Sequence, residues 1–174
     1  MFGASVIFPT DYNNTLLNDS KKLTEKQRFF LREEIEKDAI CWAIGIVDHK
    51  TIDKINILNA SFLTMHKALE QLKIQPQHII IDGNRFKPYG NIPFTCIIKG
   101  DGKYLSIAAA SILAKTYRDE FMLAIHREFP YYGWDVNKGY PTEKHRKAIY
   151  EHGISPYHRR SFNCSQQFEL QFDE

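Results

Sequence analysis

The chain has 174 residues, 43% of them hydrophobic and 25% charged, with a formal net charge of +2. That balance suits one compact domain with an apolar core and excludes a disordered or fibrous chain. No apolar run approaches the roughly eighteen residues that a membrane helix needs, and residues 1–9 lack the charged start and apolar stretch of a secretory signal.

Cys41, Cys96 and Cys164 are odd in number and far apart, with no CxxC pair. A zinc site is therefore not expected, and a reduced, cytoplasmic setting is.

Taken in chain order, residues 2–8 are small and apolar and read as a strand, followed by a loop over 9–18. Thr24 and Gln27 form a capping-box pattern that opens a helix over 25–38. Residues 41–47 read as a buried strand. Thr51 is placed to cap a short helix. Leu58, Phe62, Met65, Leu69 and Leu72 then recur at helical spacing, which predicts a longer amphipathic helix with a core-facing stripe.

Residues 78–81 form a short apolar strand ending at Asp82-Gly83, and residues 94–98 another ending at Lys99-Gly100-Asp101. A long helix is predicted over 104–129. Its small residues, Ala108 to Ser111, would let it lie close to a sheet. A last helix over 142–152 is capped by Thr142 and stopped by Gly153. Strands alternating with helices predict an α/β domain with a mixed sheet.

Charge is uneven along the chain. Between Asn84 and Arg118 there are six basic residues and one acid, Asp101. Between Lys138 and Arg160 there are six more, against Glu143 and Glu151. This pattern suits a polyanion, although an unevenly charged solvated surface would read the same.

Asp82 and Asp101 share a setting: each follows an apolar strand and sits beside glycine. Ligand sites gather at strand ends in α/β sheets. Two carboxylates there suit a hard cation, Mg²⁺ or Mn²⁺. Each can also be read as a turn residue, and Asp82 taken alone is better read so; the pair is what suggests a site.

Several segments together resemble ribonuclease HII in order and spacing. They are Leu17 to Leu23, Ile81-Asp82-Gly83-Asn84, Lys99-Gly100-Asp101, Ala108 to Asp119, Gly133-Trp134, Lys138 to Thr142, and Ser155 to Phe162. The resemblance implies a ribonuclease H-like fold with a helical C-terminal part. It implies an endonuclease that hydrolyses the RNA strand of RNA–DNA hybrids, cuts at ribonucleotides embedded in duplex DNA, and leaves 5′-phosphate ends. Catalysis in that family uses two divalent ions held by carboxylates, one activating water and the other stabilising the leaving oxygen.

By motif position, Asp82 and Asp101 match the third and fourth of those carboxylates. Tyr140 matches a tyrosine that packs against a nucleotide sugar, Ser20 and Lys21 match a phosphate-contacting turn, and Lys115 and Arg118 are candidates for holding phosphate. Arg118 is equally placed to pair with Asp119, and Asp119 itself reads as structural. Arg159 and Arg160 read either as duplex contacts or as a solvated tail. A monomer without membrane contact is expected.

The resemblance also implies an opening strand carrying Asp-Glu-x-Gly-Arg-Gly, which supplies two carboxylates and reads the 2′-hydroxyl. No such motif occurs here. Residues 1–174 are therefore expected to be a single ribonuclease H-like domain shortened at its N-terminus, through a fragment or a misplaced start, with half of the carboxylate set and little or no activity. The alternative is a non-catalytic fragment that binds hybrid duplex.

Overall fold

A computed structural model describes residues 1–17 and 23–162. Strand β1 (Phe2–Ile7) pairs antiparallel with β2 (Cys41–Ile46), from Phe2↔Ile46 to Ile7↔Cys41. Helix α1 (Glu25–Asp38) connects them. Its start follows the capping box: the Thr24 hydroxyl accepts from the Gln27 amide at 3.3 Å, and the Gln27 side chain accepts from the Thr24 amide at 2.9 Å. Leu31 and Ile35 on its inner face are fully buried.

The next helix departs from expectation. Asp48, not Thr51, caps α2 (His49–Glu70); the Asp48 carboxylate accepts from the Thr51 amide at 2.7 Å. Asn56 then breaks the helix with a φ of 65°, and its side chain accepts from the Asn59 amide at 3.0 Å. Asn56 thus ends a short first segment and caps a longer second one. Of the predicted stripe, Phe62 and Leu69 are buried, but Leu58, next to the kink, is 47% exposed. Gly45 lets α2 lie directly on β2, since a Cβ there would overlap the Thr64 carbonyl.

Strands β3 (Ile79–Asp82) and β4 (Phe94–Ile97) pair in parallel, with Asp82 opposite Ile97. A 3₁₀ turn (Gly100–Gly102) leads into α3 (Leu105–Glu128). Ala108 and Ala109 are almost fully buried with Ile112 and Leu113, in a cluster that takes in Ala4, Val6 and Phe8 on one side and Leu31 and Ile35 on the other. The small residues do what their size suggested: they bring α3 close to β1. The expected α/β class is present. Among the described residues its strands form two separate pairs, one antiparallel and one parallel, rather than one continuous mixed sheet.

A 3₁₀ turn (Pro130–Tyr132), a single helical turn α4 (Trp134–Asn137) and α5 (Glu143–His152) complete the helical C-terminal part. Tyr132, Trp134, Ile125 and Ala148 form a second core. Thr142 caps α5 as expected. Beyond α5 the chain returns to α2, where the Asp53 carboxylate accepts from the Arg160 amide at 2.8 Å and lies 3.6 Å from the Arg159 guanidinium. The basic end of the described chain is therefore anchored rather than trailing.

Candidate active site at the ends of two parallel strands

Asp82 is the last residue of β3 and is exposed; Asp101 is half-buried on the turn four residues beyond β4. Parallel pairing puts both at the same end of their strands. The junction is specific. Lys99 adopts the left-handed conformation (φ 56°), turning the chain so that the Gly100 amide donates to Asp82 Oδ1 at 2.9 Å. A Cβ on Gly100 would approach Ile107 Cδ1 of α3 at 2.6 Å. Any larger residue at 100 would push the Ile107 side chain aside, so the glycine lets the turn sit close between Asp82 and α3. The sequence marked Gly100 only as a neighbour of Asp101; its role in holding Asp82 depends on a contact across eighteen positions.

Among the described residues, no salt bridge engages Asp82 or Asp101. Both carboxylates are thus available to a cation. Two hard oxygen donors suit one Mg²⁺ or Mn²⁺ that completes its shell with water and phosphate oxygen. No group of three or more His, Cys, Asp or Glu stands together among the described residues.

Lys115, Arg118 and Tyr140 are brought together, but with each other. Arg118 donates to Asp119 Oδ1 at 2.8 and 3.2 Å and to the Tyr140 hydroxyl at 3.4 Å, while Lys115 stands 3.8 Å from Asp119 Oδ2. Asp119 is 2% exposed, which agrees with its structural reading. The Arg118 guanidinium pulls the Tyr140 phenol below its ordinary pKa, chiefly through that hydrogen bond. Burial works against the Arg118 charge, but hydrogen bonds to Tyr140 and Asp119 leave its pKa raised.

Arg118 follows the first residue of α3 by thirteen positions, about 20 Å along the axis. That length equals about six nucleotide steps on a duplex. Tyr140 is 60% exposed, so its ring is open to a ligand. Ser20 and Lys21 lie outside the described residues.

The ribonuclease HII family model matches residues 1–165. The chain belongs to the ribonuclease HII family. The ribonuclease HII of Phocaeicola vulgatus is 61% identical over 175 aligned positions, covering 99% of this chain and 87% of that protein. Among solved structures, ribonuclease H2 from Pyrococcus horikoshii superposes with a TM-score of 0.76 at 22% identity, over 95% of this chain and 94% of that one. The Bst ribonuclease HIII crystallised with Mn²⁺ gives 0.57 at 20% identity, over 78% and 50%. These likenesses place the two strand pairs and long α3 of this chain in the ribonuclease H-like fold.

Proposed function

We propose that this ribonuclease HII chain acts on RNA–DNA hybrids and on duplex DNA containing ribonucleotides, as an endonuclease dependent on Mg²⁺ or Mn²⁺ that leaves 5′-phosphate ends. The carrying observation is the strand-end pair, Asp82 braced by the Gly100 amide with Asp101 on the next residue. The related HIII structure with Mn²⁺ supports the choice of ion. In this reading Asp82 and Asp101 hold the cation, which supplies Lewis-acid stabilisation of charge on the scissile phosphate. Tyr140 packs against a sugar, Lys115 and Arg118 lie along the path of the phosphates, and Ser20 and Lys21 contact phosphate. The chain works as a single-domain monomer in the cytoplasm.

Two carboxylates suit one ion better than a two-ion clamp. We therefore expect the 174-residue chain alone to cleave weakly. The lack of a three-ligand group among the described residues also favours a second reading, a hybrid-binding chain without cleavage. One experiment separates them: a labelled duplex with a single embedded ribonucleotide is incubated with the chain and Mn²⁺. Metal-dependent nicking that disappears in Asp82→Asn supports the nuclease. Salt-sensitive binding with no nicking at any metal concentration supports the second reading. Nicking that persists unchanged in Asp82→Asn and Asp101→Asn contradicts the assignment of the site.

A further inference from the structure

Of the six basic residues between Asn84 and Arg118, three are committed to other groups. Lys115 and Arg118 share the buried Asp119 carboxylate. The Lys87 ammonium donates to Asn59 Oδ1 of α2 at 2.9 Å. Arg85, Lys99 and Lys103 remain. All three are exposed, and among the described residues none of them meets a carboxylate. Lys103 donates to the Ile98 carbonyl at 3.0 Å, which leaves its charge uncancelled.

These three cations stand around the aspartate pair. Arg85 lies three residues past Asp82, at most about 11 Å along an extended chain, and Lys99 and Lys103 lie two residues either side of Asp101, at most about 7 Å. At about 3.4 Å per step on one strand of a duplex, all three fall within about three nucleotides of the site. Both loops are held. The Gly102 and Lys103 amides donate to the Lys99 and Gly100 carbonyls at 3.4 and 2.9 Å. On the other loop, the Phe86 and Tyr89 rings lie 5.3 Å from the His66 ring of α2, and the Lys87 carbonyl accepts from His66 Nε2 at 2.9 Å. The backbone next to Arg85 is thus anchored while its guanidinium is left free.

We propose that Arg85, Lys99 and Lys103 grip the substrate's backbone phosphates beside the Asp82–Asp101 site, with the Arg85 guanidinium forking onto one phosphate. Planar, paired N–H groups match phosphate oxygens in a way that a lysine does not. Charge explains the placement. Two bare carboxylates repel a polyanion, and three free cations outweigh them even before a metal binds. The proposal rests on the reading of the aspartate pair as a metal site for nucleic acid. It puts the main phosphate grip at the strand ends rather than at Lys115 and Arg118.

The test is a fluorescence anisotropy titration of a labelled duplex with one embedded ribonucleotide, from about 50 to about 200 mM KCl. Divalent metal is left out, so that no strand is cut. The logarithm of the binding constant falls with the logarithm of salt, with a slope set by the number of phosphates neutralised. Arg85→Gln should make that slope shallower by about 1, and Arg85→Lys should keep it. The triple variant Arg85→Gln, Lys99→Asn, Lys103→Gln should make it shallower by about 3 and weaken binding at least about tenfold at the lowest salt. Asparagine is chosen at 99 because it tolerates the left-handed backbone. Lys87→Gln removes the same charge two residues from Arg85 and should leave the slope unchanged. An unchanged slope in the triple variant, or equal loss in Lys87→Gln and Arg85→Gln, would overturn the proposal and leave the nuclease reading standing. Failure of the unaltered chain to bind the duplex at the lowest salt would overturn both.

Discussion

The two aspartates and the Lys115–Arg118–Tyr140 group are both polar and both sit against α3, yet they are built in opposite ways. Asp82 and Asp101 are positioned by backbone: strand ends, a left-handed Lys99 and one amide hydrogen bond from Gly100. Their charge is left uncompensated among the described side chains. Arg118 and Lys115 are positioned by side chains and share the buried carboxylate of Asp119. A carboxylate pair held open by backbone is suited to a metal ion. A cation locked to a buried acid supports its surroundings first and attracts phosphate only with what charge remains. The same helix therefore packs near the aspartate pair at one end and carries a brace further along.

That contrast predicts its largest stability effect at the brace. Arg118→Ala leaves Asp119 buried with only Lys115 nearby and should cost about 3 kcal/mol. Thermal unfolding should drop by roughly 6–12 °C for a chain of this size, whereas Asp82→Asn should leave the melting temperature nearly unchanged. Equal melting temperatures for the two variants would remove the distinction.

The second core offers a pH test away from both regions. Burial pulls the His158 pKa from 6.5 down to about 4, with His145 adding repulsion. The unfolded chain then takes up a proton below pH 6.5 that the folded chain refuses. Stability is full above pH 6.5, falls as the pH drops towards 4, and levels off below. With partial exposure discounted, the loss is about 1–2 kcal/mol. Urea melts at pH 7 and 4.5 should show it, and His158→Gln should flatten the difference.

Smaller effects sharpen the ligand side. Tyr140→Ala should weaken hybrid binding by about tenfold in a fluorescence anisotropy titration, while Tyr140→Phe keeps the ring and should change it little. Thr24→Ala should cost about 1 kcal/mol through its lost cap, read as a small drop in the thermal unfolding midpoint.

Local patterns were the legible part of this chain. Thr24 with Gln27, Thr142 with Gly153, and the Ala108–Ser111 run each act within a few residues, and the helices begin and end where those patterns put them. The strand-end setting of Asp82 and Asp101 was legible from the glycine beside each at the end of an apolar run; their reading as a metal pair came from the family resemblance.

What was not legible depends on distance along the chain. Asp48 out-competes Thr51 as a cap because its carboxylate is a stronger acceptor in the right turn, and Asn56 breaks α2 with a conformation that its neighbours do not announce. The hydrogen bond from Arg118 to Tyr140 spans twenty-two positions, and the clasp of Asp53 on Arg160 spans more than a hundred. Arg118 was open to either reading in the sequence; its geometry shows it first as the partner of Asp119.

The most direct test of the central claim is Mn²⁺ binding followed through paramagnetic broadening of the backbone amides. One weakly bound ion should broaden Gly83, Gly100 and Asp101 first, leave the amides around Arg118 sharp, and lose its effect in both Asp82→Asn and Asp101→Asn. Broadening centred elsewhere, or unchanged in either variant, would contradict the convergence of these two aspartates on one cation.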